Sequence, residues 1–538
     1  MADTTFVSGT VITKEWLNDV NDLVYGIQDP STGKGASLVS IDSTGTFNAT
    51  NVEEALRELQ VELARAKGYN ILQDIPPAEW PAIFDGTTTY DVSAIVRTRA
   101  SSLGTNGTIY FPGKKYTFST PDGGAVISSY IRVSNRGFTI VCDPSTTLSF
   151  TDAASVAGIY VDVNGSNFRL YNGNLCGTNT TTPQIELLRV SAPYSIVAYA
   201  GFAYASIAIN YLGVAGTGVY ITKTIANQFS NCNQYIKVSG SGIADVHFIG
   251  NTYGTTTQGS NPSVEISSPG CIFVNEYFET MSHTAKPAFR ANTGTVAFML
   301  QGKFYDSGEI LVQNSVRARL EIQADSCYST TNSRFIRVDG GGTVDLTGSE
   351  LYGNGSTGGI FGISASGVVV MGSGTVKNYQ TGIGFSGILS IGNTLLLGNG
   401  TALSAGGSSS GASCGTVFSG NTTDVSISTG STFYVDRKES ITASPGAGSA
   451  FTPNVGNYGQ LVVTMPAGNI TVNSPSNSYI NAKLTLIFIQ DATGGRTITW
   501  NSVFSKPADG AGGASQRGSI TFTFDGTYWV AMNQLTYA

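Results

Sequence analysis

Charge is scarce in this 538-residue sequence: Asp, Glu, Lys and Arg together make up 12% of it. Histidine is scarcer still, with His247 and His283 the two copies, so a Ser-His-Asp triad or a histidine metal site has little to draw on. No HExxH or P-loop occurs. The six cysteines (142, 176, 232, 271, 327 and 414) are widely separated, without a CxxC pair, which removes metal-ligand and redox spacing. They read as reduced residues filling small core positions, as suits assembly in a reducing cytosol. No cofactor and no metal are expected. The net charge of −7 offers no basic field for nucleic acid or an anionic membrane. The opening MADTTFVSGT has neither the positive nor the apolar region of a secretory signal. Ser195–Gly216 runs 22 residues without charge, long enough to span a bilayer, but Ser, Gly, Asn210 and three tyrosines interrupt it. Buried strands and corners are expected there, not membrane insertion.

What is abundant is strand and turn chemistry. Hydrophobic residues reach 41%, alongside 66 glycines and many Ser, Thr and Asn, a profile of short strands joined by tight polar turns. Helical pattern is confined to the start. Trp16, Leu17, Val20, Leu23 and Val24 share one helix face. Further on, Thr50 and Glu53 form a capping box ahead of the apolar seam Val52, Ala55, Leu56, Leu59 and Leu63, and Gly68 supplies the stop. About two heptads make a neck that neighbouring domains must hold in register.

From about residue 125 the text changes to short apolar runs punctuated by Gly, Asn and Ser. Anchoring on Tyr253, Phe278, Phe304, Cys327, Leu351 and Val376 gives steps of 23 to 26 residues. Such a period, strand-rich and helix-free, predicts a β-solenoid in which each coil stacks on the last. After the soft stretch TALSAGGSSSGASCG, a final unit alternates QLVVTM, NITVN, AKLTLIFIQD, RTITW and SITFTFDGTYWVAMNQL, with hairpin-type turns such as Asp525-Gly526. It reads as a small β-sandwich.

In this order the segments resemble a bacteriophage tailspike or tail fibre. GTVITKEWLNDVNDLVYG is similar to the virion-binding start of short-tailed-phage tail proteins, and GASLVSIDSTGTFNATNVEEALRELQ to a linker module of phage tails. FDGTTTYDVSAIVRTRASSLGTNGTIYFPGKKYTFS resembles the entry to a pectate-lyase-like right-handed parallel β-helix, with the usual acidic text eroded to Asp85-Gly86 and Asp91. QDATGGRTITWNSVF and FTFDGTYWV are similar to a β-sandwich appended to tail fibres. The resemblance implies a mainly β homotrimer that recognises host surface polysaccharide, lipopolysaccharide or capsule. It implies docking to a tail adaptor, hub or portal-proximal protein through the N-terminus, with Trp16, Leu17, Val20 and Leu23 as contacts, and assembly in the host cytoplasm. The chain then divides into an attachment segment 1–49, a neck 50–68, a β-helix entry 69–124, a β-helix body 125–415, a linker 416–438, and a C-terminal sandwich 439–538 for trimerisation or carbohydrate binding.

Many such proteins also cut their glycan with paired carboxylates. Coils about 4.8 Å apart bring outward carboxylates one or two coils apart near the separations that glycoside hydrolysis uses, about 5 Å or about 6.5–9.5 Å. If the anchors point inward, the next residues face outward: Glu279, Tyr305, Tyr328, Tyr352 and Lys377. The tyrosines offer flat apolar faces for sugar rings, or a stack that stabilises the solenoid or a trimer contact. Glu279 stands at the end of this column, with Asp306 just past Tyr305, and these two with Glu276 are the candidate catalytic carboxylates. By parity Glu276 faces inward or serves a turn. Tyr277, His283 and Glu309 complete the expected sugar contacts. Asp325 and Glu350 are read as solvated or turn residues. Polysaccharide attachment is the main reading, and depolymerisation by glycoside hydrolysis is the alternative.

Overall fold

The computed structural model describes residues 68–538, apart from 125–126, 216–217, 255–260, 280–286, 293–296, 328–333, 354, 356–360, 408, 429–430, 436–439, 456–458, 477, 507 and 511. The expected attachment contacts Trp16, Leu17, Val20 and Leu23, the neck up to 67, His283 and Tyr328 lie outside the described residues.

Strict alternation builds the strands. In Arg317–Asp325, Ala318, Leu320, Ile322 and Ala324 are buried while Arg317, Arg319, Glu321, Gln323 and Asp325 are exposed. Period-2 patterning of this kind puts one face in the core and the other in water. Successive strands pair in parallel with the strand one coil away, forming a 25-stranded sheet with two arms and a 13-stranded sheet behind it. This is the β-solenoid that the repeat predicts. The uncharged stretch after Ser195 forms strands Ile196–Ala198, Gly201–Ala203 and Ile207–Gly213. Among the described residues no helix is long and apolar enough to cross a membrane.

Coil stacking fixes the core. Phe202, Phe229, Tyr253, Phe278 and Phe304 form one interior column, with successive ring centroids 5.2, 5.1, 4.4 and 4.3 Å apart. The last two separations fall just below the rung spacing that parallel pairing imposes, so like side chains repeat on like rungs. The anchor at Cys327 is a register error. Phe304 pairs with Ala324, which pairs with Leu351, whereas Cys327 is buried one residue past the left-handed Ser326. Coil length varies, from 20 residues between Phe304 and Ala324 to 27 between Ala324 and Leu351. An even period therefore misplaces a rung.

At the entry, the helix Ser93–Leu103 buries Val96 and Ala100. Asp91 anchors its start. Burial opposes ionisation of Asp91, but hydrogen bonds from Ser93, Thr120 and the Ser119 N–H hold its carboxyl well below the usual range.

Two further expectations are corrected. The stack does not end at 415: Val417–Ser419, Thr423–Ile427 and Thr432–Val435 each pair in parallel with the preceding coil. The Gly/Ser-rich text just before that point permits close approach of the coils. At Gly411, φ is 153° and a Cβ would collide with the Leu389 carbonyl. The C-terminal unit has the expected two layers, with Trp500 edge-on against Phe488 at 5.8 Å and tilted against Phe522 at 5.4 Å. It is not a run of hairpins, however. Successive strands alternate between two sheets and so return in parallel: Ser440–Ala443, Gln460–Thr464 and Lys483–Ile489 in one, Ala450–Phe451, Ile470–Val472 and Ile498–Trp500 in the other. Antiparallel pairing begins between Lys483–Ile489 and Arg517–Phe524, and the turn at Asp525-Gly526 then forms a hairpin to Trp529–Ala531. Of the cysteines, 142, 232, 271 and 327 are buried as expected, Cys176 is half-buried and Cys414 is exposed.

Candidate functional site

The site arises where a repeated corner ends. In successive coils one residue adopts the left-handed conformation between the two arms of the large sheet: Asn172, Tyr199, Ala226, Gly250 and Asn275, with φ of 59°, 59°, 50°, 64° and 55°. After the first of these comes Gly173, and after the others the buried residues Ala200, Asn227, Asn251 and Glu276. The last three of these, Asn227, Asn251 and Glu276, are 1% exposed or less and hydrogen-bonded from coil to coil. The Asn227 N–H donates to Asn251 Oδ1 at 2.9 Å, and Asn227 Nδ2 donates to Val197 O and Asn251 Oδ1, each at 3.0 Å. The Asn251 N–H then donates to Glu276 Oε1 at 3.2 Å, and Asn251 Nδ2 to the Thr224 carbonyl at 3.0 Å. Each rung thus satisfies buried backbone groups that the corner leaves unpaired.

Glu276 ends this ladder. It accepts from Asn251 at both oxygens and from the Tyr253 hydroxyl at 2.6 Å. Burial pushes its carboxyl up to about 8, against the opposing effect of those hydrogen bonds. The next rung has Gly302, where a Cβ would stand 2.5 Å from the Glu276 carbonyl. There the corner disappears: Ala297–Tyr305 and Arg317–Asp325 are continuous nine-residue strands without a left-handed residue. The change from bent to continuous strand is taken up by a bulge, with Val274 and Asn275 opposite Gln301.

A groove of about 530 Å³ opens over this transition. Asn275, Tyr277, Gln301, Lys303, Glu321 and Gln323 line it, with Gly302 and Ile322 on its floor. Strand alternation turns Gln301, Lys303, Glu321 and Gln323 outward, and Gln301 Nε2 donates to Glu321 Oε2 at 3.0 Å. Beside the groove runs the column Glu279, Tyr305, Asp325, Tyr352 and Lys377. Tyr305 is 50% exposed. The Tyr277 hydroxyl is raised, by desolvation first and then by the Glu279 carboxylate, which places those two groups together.

Tyr277 lines the groove, with Glu279 and Tyr305 on the adjoining column. Glu276 belongs to the groove lining but is 1% exposed, and its carboxyl oxygens accept from Asn251 and Tyr253 on the inward side. On the rung between Tyr305 and Tyr352 the column holds Asp325. Asp306 is the left-handed corner residue after Tyr305, with φ of 47°, off the column of Glu279. Glu309 is 1% exposed and 3.4 Å from Arg337, so it is an interior ion-pair residue and not a sugar contact. Asn275, Gln301, Lys303, Glu321 and Gln323 were missed. The alternation in AFMLQGKFY and RARLEIQAD would have turned four of them outward once the register was right.

Residues 451–521 match the family model described as the putative phage tail fibre C-terminal domain. The C-terminal unit thus resembles a domain of phage tail fibres. That segment is joined here to a β-solenoid body. No curated protein sequence matches the chain. Among solved structures, a tailspike mutant of Escherichia coli bacteriophage HK620 in complex with a hexasaccharide is 10% identical, covering 94% of this chain and 90% of its own, with a TM-score of 0.41. The catalytic unit of an α-1,3-glucanase from Streptomyces thermodiastaticus is 9% identical over 69% and 68%, with a TM-score of 0.42. The A-module of an Azotobacter vinelandii mannuronan C-5 epimerase is 12% identical over 68% and 99%, at 0.39.

Proposed function

We propose that this is a phage tail protein that recognises and attaches to polysaccharide on the bacterial surface, as a homotrimer docked to the rest of the tail through its N-terminal segment. The observation that carries the reading is the groove over the ladder's end. It is solvent-facing, lined by amides that both donate and accept hydrogen bonds and by the half-buried Tyr277, and flanked by the exposed Tyr305 ring, suited to a sugar face. The tail fibre domain at 451–521 supports the setting. The test is binding of the purified full chain to a panel of bacterial surface polysaccharides, with sedimentation to read its assembly. Saturable binding that weakens about tenfold when Gln323→Ala removes one good hydrogen-bonding partner supports the reading. Absence of binding to every polysaccharide overturns it, and a monomer at micromolar concentration overturns the trimer.

One observation favours cleavage as a second reading. Glu279 and Asp325 share an outward column two rungs apart, about 9.5 Å from the rung spacing, at the upper edge of the separation used by inverting glycosidases. Incubation with a bound polysaccharide should then release new reducing ends, and Glu279→Gln should slow release at least about 10²-fold. Binding without new ends excludes this reading.

A further inference from the structure

We infer that the groove selects uncharged glycan segments, rich in hydroxyl or acetamido groups, and rejects acidic ones bearing uronate, sialate or phosphate. The inference rests on the glycan-recognition reading above and concerns the same site.

The argument is electrostatic and begins with the lining. Three amides, Asn275, Gln301 and Gln323, supply a matched set of donors and acceptors. A sugar hydroxyl is likewise both donor and acceptor, so amides satisfy it without a charged partner. An anionic substituent needs the reverse, a cluster of cations presenting donors alone. The lining holds a single cation, Lys303, and it holds Glu321 on the neighbouring rung, so the field of one offsets the other. Glu276 beneath keeps its proton at neutral pH and adds no charge.

The surroundings lean the other way. Along these coils Glu279, Asp325 and Glu350 border the groove on its outward columns, with Asp345 beyond. Lys303, Arg317 and Arg319 are the cations on the same rungs and Lys377 stands at the far end of the column, so five carboxylates, Glu321 included, face four cations. The whole chain carries −7. An anion brought within about 4 Å of one exposed carboxylate in water loses roughly fivefold in affinity, and a polymer with a charge in every repeat meets that penalty repeatedly.

The experiment measures binding of the full chain to two sets of purified bacterial polysaccharides, neutral and acidic, at about 20 mM and about 500 mM salt, where the screening length falls severalfold. Lys303→Gln and Gln323→Ala are tested alongside, both outward positions on strands whose inward faces are untouched. The expected result is binding to a neutral polysaccharide that changes less than about twofold with salt, less than about threefold with Lys303→Gln, and about tenfold with Gln323→Ala. Tight, salt-sensitive binding to an acidic polysaccharide, lost about tenfold or more in Lys303→Gln, overturns the selectivity and leaves the receptor-binding reading standing. Neutral binding indifferent to Gln323→Ala removes the groove as its site and the inference with it. Binding to neither set overturns the glycan-recognition reading itself.

Discussion

Replacing Glu276 by glutamine isolates the energetics of the ladder's end. The carboxyl is buried and its pKa is pushed up to about 8 from an ordinary 4.5. Glu276 therefore binds its proton more tightly in the folded chain than in the unfolded one. By linkage, its contribution to stability is fully present below pH 4.5, falls by about 1.4 kcal/mol per pH unit from there to pH 8, and is flat beyond. The total over that window is about 5 kcal/mol. Glutamine keeps an oxygen for the Asn251 N–H and does not titrate, so the Glu276→Gln variant lacks this one component and shares every other titration with the parent. For a chain of this size, with an unfolding entropy of roughly 1 kcal/mol/K, the difference corresponds to about 4–5 °C. Melting temperatures of the two proteins, measured from pH 4 to pH 9, should diverge by that amount, with the variant gaining as pH rises. Parallel melting curves across the range would refute the buried, proton-retaining role of Glu276.

Asn251→Ala should cost about 3 kcal/mol in denaturant unfolding, because it leaves the buried Asn227 N–H and Nδ2 without Asn251 Oδ1. A loss under about 1 kcal/mol would mean that water or relaxation replaces the ladder. Phe278→Ala, which removes a ring stacked at 4.4 and 4.3 Å on its neighbours, should cost about 3–5 kcal/mol by the same measurement. Gly302→Ala should destabilise by about 1–3 kcal/mol, since the added methyl meets the Glu276 carbonyl at 2.5 Å. It should also weaken glycan binding, and unchanged affinity would separate the bulge from the groove's shape.

The solenoid was legible because its cause is local and repeated. Inward aromatics such as Tyr253, Phe278 and Phe304 recur at nearly one coil length, and strand alternation then assigns the neighbours a side. The inward placement of Glu276 followed from parity alone. Asp306 and Glu309 lie past the strand end at Tyr305, where alternation no longer assigns a side, and the column beyond Tyr305 failed for a different reason. Coil length is not constant, so counting by an average period slipped by three residues at Cys327 and moved Asp325 out of the column it occupies.

The linear pattern was enough for architecture: charge-poor, strand-rich text at a repeating interval, followed by the segment matched at 451–521. Burial and alternation are properties of neighbouring residues, and one strand reveals them. Three-dimensional pairing alone established which residues share a rung, and with it everything about the groove. Parallel stacking brings Glu276 against Asn251, Gln301 against Glu321 and Lys303 against Gln323, pairs set by the number of residues each corner absorbs. That number is decided by bulges and left-handed residues on successive coils. So the stretch Cys271–Glu279 is read from sequence as a rung, and as the edge of a binding groove only when the coils on either side are in place.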